Sequence, residues 1–272
     1  MKKGISIWSF KNQPLEESFK LAKAAGFDGV ELALDTEGEV SLNTTKEEML
    51  HIKETAEKYG IELFSIASAL YWSYSLGSTD EAEREKAKEI VKKQLELASY
   101  IGCDTILVVA GGLTTTDGKN VDYDDVYNNA LQSLKELASY AEKMGVAIGL
   151  ENVWNQFLIS PIEFSEFIDK IGSDYVGAYF DIGNILLYGQ PEHWIKILNK
   201  KIKKIHIKDF KKANYSFVGL LEGDVNFPSA MAAIEKIGYD NWITAEMVPP
   251  YATYPEVLIY NTSLAMDKIL NK

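Results

Sequence analysis

Apolar residues recur along the chain in two alternating rhythms. Short runs rich in Val, Ile, Leu and aromatic residues fall at positions 4–8, 29–33, 61–67, 104–110, 146–151, 176–181, 203–208 and 242–246, each of strand length. Between them lie longer stretches in which apolar residues repeat at the helical period, at 14–25, 45–59, 80–100, 122–144, 161–171, 191–199, 227–237 and 255–270. Pro14, Pro161, Pro191 and Pro255 stand where a first helical turn begins, and Gly26, Gly60, Gly102, Gly145, Gly172 and Gly238 follow a last turn. Eight strand–helix units in succession, with no Pro- or Ser-rich linker, predict an α/β fold, a single (β/α)₈ barrel spanning residues 1–272 as one domain. The competing arrangement, a doubly wound open sheet, usually has fewer units, and no glycine-rich dinucleotide fingerprint opens this chain.

A barrel of this kind carries its active site at the C-terminal ends of its strands. The polar residues that end each run are therefore the candidates, and the last four runs each supply one. Glu151 ends the fifth, Asp181 ends the sixth, His206 lies near the end of the seventh and Glu246 ends the eighth. Side chains alternate faces along a strand. In the fifth run Val146, Ile148 and Leu150 take one parity and Ala147, Gly149 and Glu151 the other. In the seventh, Ile205 and Ile207 oppose Lys204, His206 and Lys208; in the eighth, Ile243 and Ala245 oppose Trp242, Thr244 and Glu246. With the bulky aliphatic parity turned to the helices, each candidate points into the barrel near its mouth. The sixth run is ambiguous, because Tyr179 shares the parity of Asp181.

The four candidates follow one another at intervals of 30, 25 and 40 residues, about one per β/α unit. Three carboxylates buried together repel and rise in pKa unless a cation compensates them. One divalent metal, with His206 as a neutral nitrogen ligand, resolves that conflict. Three oxygen donors and one imidazole suit Mn²⁺, Mg²⁺, Co²⁺ or Zn²⁺, and the hardness of the set favours Mn²⁺ or Mg²⁺. A single strand-end carboxylate reads more simply as a helix cap, and a single strand histidine as a core group. Four on consecutive strands with matching parity read as a metal site. His51 and His193 fall on predicted helices, facing solvent.

Composition narrows the partners. The 272 residues carry 28 Lys+Arg against 40 Asp+Glu, a formal net charge of −12, which repels nucleic-acid backbones. The most basic stretch, 200–212, reads largely as strand, and Arg84 is the one arginine, leaving little capacity for bidentate phosphate clamping. The one cysteine, Cys103, excludes a disulfide framework and a cysteine zinc cluster, and its place at a helix-to-strand junction reads as core. No run of 18 apolar residues predicts a membrane span. The apolar stretch 4–10 is too short for a signal peptide, so a cytoplasmic location is expected.

The segments Leu150-Glu151-Asn152, Asp181-Ile-Gly-Asn184, His206-Ile-Lys208-Asp209 and Ala245-Glu246-Met247 resemble the xylose isomerase-like TIM-barrel superfamily. Within it they are similar to the ketose 3-epimerases and sugar-phosphate isomerase/epimerases, the branch of L-ribulose-5-phosphate 3-epimerase and hexulose-6-phosphate isomerase-like proteins. The segments Gly26-Phe27-Asp28-Gly29-Val30-Glu31-Leu32 and Leu76-Gly77-Ser78 match that branch as well, and the similarity covers nearly the whole chain. The resemblance implies an isomerase in which Glu151, Asp181, His206 and Glu246 ligate one divalent metal, Mn²⁺ favoured. Glu151 and Glu246 would then be the acid/base pair. One removes the α-proton of a ketose or ketose phosphate and the other returns it to the opposite face through a cis-enediolate. It also implies a small sugar or sugar phosphate as partner, no nucleotide cofactor, and a homo-oligomer, a dimer or tetramer.

The chain departs from the D-tagatose/D-psicose 3-epimerase pattern at three positions. Asn184 stands for a substrate-binding His, Lys212 for an Arg and Phe157 for a Glu. The departures lean towards the branch that includes phosphorylated-sugar enzymes. Trp8 and Trp154 are expected either as an apolar wall against sugar carbons or as core filling. Glu31 is expected against substrate or orienting neighbours, and Lys208 against a substrate oxygen or a carboxylate. Asn152 and Asn184 are candidates for orienting metal ligands, and Lys211 and Lys212 for binding phosphate or forming a solvated pair. Phe157, Phe210, Tyr251 and Tyr254 are expected at a subunit interface or in the pocket. The rival functions are an inosose-type dehydratase on the same scaffold, a non-catalytic sugar-binding protein, and an apurinic-site endonuclease. The last needs a trinuclear zinc cluster with more histidines than the three present.

Overall fold

In the computed structural model, which describes residues 1–248 and 251–271, the β/α rhythm closes on itself. The barrel strands are β1 (Lys2–Ser6), β2 (Gly29–Leu34), β3 (Glu62–Ser68), β4 (Thr105–Val108), β5 (Ala147–Glu151), β6 (Val176–Asp181) and β7 (Ile202–Ile207). They are completed, after a short hairpin of β8 (Asp209–Lys211) and β9 (Ser216–Val218), by β10 (Trp242–Ala245). Every barrel pairing is parallel, in the order β1-β10-β7-β6-β5-β4-β3-β2. Helices α1 (Leu15–Ala25), α2 (Lys46–Lys58), α3 (Glu81–Ile101), α4 (Tyr123–Met144), α5 (Pro161–Ile171), α6 (Pro191–Leu198), α7 (Phe227–Lys236) and α8 (Glu256–Ile269) each follow a strand. The predicted (β/α)₈ architecture is the one observed. The antiparallel β8–β9 hairpin was not predicted: strands of three residues are too short to show a period, and the segment reads as loop.

Local chemistry sets the helix ends. Thr45 and Glu48 form a reciprocal capping box at the start of α2, and Asp80 accepts from the Ala82 N–H at the start of α3. Gly26 and Gly145 end α1 and α4 in the left-handed conformation, with φ of 89° and 67°, where any other residue is strained.

The main core lies between strands and helices, where Val30, Ile106, Ile148, Leu150, Ile205 and Ile243 are fully buried from the strand side. Each such side chain contributes about 1.5–3 kcal/mol on leaving water. The barrel interior is packed separately. Phe64 stacks on Trp242 with centroids 4.0 Å apart, and a Cβ on Gly29 would lie 2.6 Å from the Trp242 ring. Nearer the mouth Ala67, Leu107 and Tyr179 pack together under Trp8. Tyr179 therefore points inward with Asp181, which resolves the ambiguous parity of β6. It fits because Gly149 on the neighbouring strand leaves room: a Cβ there would sit 3.0 Å from the Tyr179 side chain.

The pairing of β2 with β3 is irregular. Val30 opposes Leu63 and Leu32 opposes Ile66, so that Phe64 and Ser65 share the single position opposite Glu31. His51 on α2 and His193 on α6 are exposed, as expected. Cys103 is buried with its thiol donating to Leu63 O, and burial pushes its pKa up, so it is core and not a nucleophile. No helix among the described residues is long and apolar enough to cross a membrane.

Candidate metal centre

The four strand-end candidates converge at the mouth of the barrel. Glu151 and Asp181 are the last residues of β5 and β6, and Asp181 pairs in register with His206 of β7. Glu246 lies one residue past β10, but its N–H still donates to Ile207 O at 3.2 Å, so the ladder carries it to the same level. One ligand atom from each residue lies within 4.8 Å of all the others. His206 Nδ1 is 3.3 Å from Glu151 Oε1 and 2.9 Å from Glu246 Oε2. Lys208 Nζ is 3.2 Å from Asp181 Oδ2 and 2.9 Å from Glu246 Oε2. Asp181 and His206 have no solvent exposure and Glu151 is 8% exposed.

Such a cluster is expensive to bury. Asp181 Oδ2 and Glu246 Oε2 are sealed from solvent yet accept no well-aligned hydrogen bond, although the Lys208 ammonium faces both. Three carboxylates and one imidazole gathered at one point, with an oxygen on each of two of the carboxylates unsatisfied, fit a hard or borderline divalent cation. Before any cation enters, burial pushes the Glu151 carboxyl up to about 7, against the pull of His206 and Lys208. Burial works in the same direction on Glu246, but Lys208 and His206 overcome it and hold that carboxyl down at about 2. Burial disfavours the His206 imidazolium, yet Glu31, Glu151 and Glu246 together raise its pKa well above the usual histidine range. Lys208 is likewise penalised by burial but raised overall by Asp181, Glu246 and Glu151.

The remaining candidates separate by position. Asn184 does not stand free in the cavity. Its N–H donates to Asp181 Oδ1 at 2.8 Å and its amide donates to Asn152 O at 3.0 Å, so it braces the aspartate. Glu31 is fully buried with both oxygens engaged by protein, one layer below the mouth, which removes it from contact with substrate. Lys212 is exposed beyond β8, its N–H donating to Asp224, and it lines neither cavity at the mouth. Of the alternatives expected, Asn184 and Glu31 take the orienting one and Lys212 the solvated one: Asn184 turns back on Asp181 in the segment after β6, Glu31 is covered inside the barrel on β2, and Lys212 faces solvent beyond β8.

Trp154 does line a mouth cavity, together with Tyr71, Trp72 and Gly111. Its indole N–H donates to Asn184 O at 2.8 Å and its ring stacks on Phe217 of the hairpin, with centroids 4.7 Å apart. Phe210, on the other strand of the hairpin, packs edge-on to the same ring. Lys208, Glu246, Phe217 and Tyr251 line the neighbouring cavity. Trp8 sits over the interior layer of Tyr179. Phe157 is buried against Tyr123, Tyr127 and Phe167 and is core, whereas Tyr254 is 73% exposed. The hairpin roof and Ser65 beside Glu31 were missed. The first left only the signal of Phe210 and Phe217 flanking a polar turn, and the second left none, since a bulge breaks the alternation that would have revealed it.

A family model described as the xylose isomerase-like TIM barrel matches residues 19–266. L-ribulose-5-phosphate 3-epimerase UlaE of Escherichia coli K12 is 25% identical over 230 residues, covering 82% of this chain and 78% of that protein. Among solved structures, D-psicose 3-epimerase from Clostridium cellulolyticum H10, determined with D-tagatose, superposes with a TM-score of 0.83 over 100% of this chain and 99% of that one, at 17% identity. The IolI protein with a bound zinc atom superposes with a TM-score of 0.81 over 100% and 98%, at 18% identity. At such identities the structural likeness speaks for the fold. The family match, spanning nearly all of a closed eight-stranded barrel with this quartet at its mouth, places the chain in the xylose isomerase-like TIM-barrel family.

Proposed function

We propose that this protein is a divalent-metal-dependent isomerase that epimerises a ketose or ketose phosphate at the carbon beside its carbonyl. The observation that carries this reading is the convergence of Glu151, Asp181, His206 and Glu246 within 4.8 Å of one another at the barrel mouth. Its likeness to a named L-ribulose-5-phosphate 3-epimerase supports the same class.

Glu151, Asp181, His206 and Glu246 would hold the cation, with Mn²⁺ favoured by three hard carboxylate oxygens. A divalent ion bound there would supply Lewis-acid chemistry, lowering the pKa of the proton on the hydroxyl-bearing carbon beside a ketose carbonyl. Glu151 and Glu246 take the catalytic roles: one removes that proton and the other delivers a proton to the opposite face. Lys208 keeps Glu246 ionised and stands at the edge of the cavity to meet a substrate oxygen. Trp8 and Trp154 supply apolar surface for the sugar carbons, and the hairpin restricts water above Trp154. An exposed apolar stripe of Val257, Tyr260 and Leu264 on α8 supports a homo-oligomer.

The test is turnover in deuterated water with a panel of ketoses and ketose phosphates, using Mn²⁺-loaded protein. One deuterium at the inverted carbon of the product is expected. Absence of exchange across the whole panel removes the proposal, and a strongly ultraviolet-absorbing unsaturated ketone reassigns the chemistry to dehydration.

A further inference from the structure

Glu31 lies on β2 with no solvent exposure. Its Oε1 is 2.9 Å from His206 Nε2, while the other ring nitrogen of His206 faces Glu151 and Glu246. The two nitrogens of an imidazole point away from each other, so Glu31 stands behind the ring, outside the quartet of ligand atoms. Its Oε2 accepts hydrogen bonds from Ser65 Oγ at 2.9 Å and from the Tyr179 hydroxyl. The Tyr179 ring also packs edge-on to the His206 ring, with centroids 4.6 Å apart. Three donors from β3, β6 and β7 thus converge on one buried carboxylate. Two irregularities of the barrel make this possible: the bulge opposite Glu31 turns Ser65 towards it, and Gly149 leaves the space that Tyr179 fills. A carboxylate without exposure cannot touch substrate, and burying it is costly unless it is fully paired.

We infer that Glu31 is a positioning residue for the metal centre. It accepts the Nε2–H hydrogen bond of His206 and so fixes the tautomer in which the Nδ1 lone pair is presented to the cation, while Ser65 and Tyr179 lock the carboxylate in place. The inference rests on the reading of the quartet as a metal site, and the experiment separates the two.

The full chain is titrated with Mn²⁺ and bound metal is followed by electron paramagnetic resonance, for the wild type and for Glu31→Gln, Tyr179→Phe and Asp181→Asn. The expected result is one tightly bound Mn²⁺ in the wild type and a Kd about 10–100-fold weaker in Glu31→Gln. Tyr179→Phe keeps the ring and removes one donor to Glu31, so a weakening of about 2–10-fold is expected, and this variant carries the test if Glu31→Gln does not fold. In ¹⁵N-histidine spectra of Zn²⁺-loaded protein, the His206 Nε2–H signal is expected to exchange slowly with solvent in the wild type and rapidly in both variants. Wild-type Kd and unchanged exchange in the folded variants overturn the role of Glu31. If Asp181→Asn alone abolishes binding in that case, the metal site stands without it. A wild-type chain that takes up no Mn²⁺ overturns both readings.

Discussion

Asn152 and Asp181 are joined by two hydrogen bonds that run in opposite directions, each of 2.8 Å: the Asn152 amide donates to Asp181 O, and the Asp181 N–H donates to Asn152 Oδ1. The last backbone pair between β5 and β6 is Glu151 with Tyr179, so the Asn152 side chain continues the ladder past the point where the backbones part. Truncation in Asn152→Ala leaves a buried N–H and C=O without partners. It is expected to lower the unfolding free energy by about 2–4 kcal/mol, read as a shifted urea midpoint with unchanged slope. A loss below that measured for an exposed control substitution would mean that Asp181 is held by other contacts.

Metal uptake is expected to release protons. A ligating imidazole must be neutral, and His206 is held protonated by its three carboxylate neighbours, so one proton leaves with each cation bound near neutrality. Below about 7 Glu151 also carries a proton, and a second is displaced. Affinity should therefore rise with pH by about tenfold per unit for each proton displaced, more steeply below the Glu151 transition than above it. Calorimetry in buffers of different ionisation enthalpy counts these protons, and a pH-independent affinity would refute the assignment.

The same group affects the metal-free fold. Glu151 binds its proton more tightly when folded than at its ordinary value of 4.5, so its contribution to stability is fully present below 4.5 and is lost as pH rises through about 7. Glu246 is displaced the other way, and its contribution is lost only as pH falls from 4.5 towards about 2. Glu151→Gln is expected to flatten the decline in the thermal midpoint of metal-free protein between those upper values, whereas Glu246→Gln is not.

The glutamates are expected to fail differently in catalysis. Glu151→Gln and Glu246→Gln should each reduce epimerisation by about 10²–10⁴-fold. Each should also leave one-sided exchange: one epimer still trades its proton with deuterated water in one variant, and only the other epimer does so in the second. Undiminished turnover in Glu246→Gln would require a different catalytic pair.

Lys208 and Lys212 should separate cleanly. Lys208→Met removes a positive charge facing Asp181 and Glu246, so Mn²⁺ is expected to bind about tenfold more tightly while turnover falls. Lys212→Met, exposed and outside both mouth cavities, should change neither affinity nor turnover, whatever the substrate panel.

Much of the centre was legible because its residues obey a local rule. Glu151, His206 and Glu246 share the inward parity of their strands with Gly149, Lys204 and Trp242, and period-two alternation reveals this without any partner in view. Asp181 was less clear, because a large aromatic on its own face suggested the outside. Only the gap at Gly149 on the next strand lets Tyr179 turn inward. Asn184 and Lys212 each kept two expectations, because chain offset says nothing of how a loop turns.

The order of apolar and polar residues determined by itself the count of β/α units and the inward face of most strands, since both are periods confined to a few neighbours along the chain. Tertiary structure decided which inward residues meet. Glu31 and His206 are 175 residues apart, and their contact, with Ser65 and Tyr179 beside it, depends on barrel closure, a bulge in β3 and a missing side chain in β5. Those are relations between strands, and no single run of residues contains them.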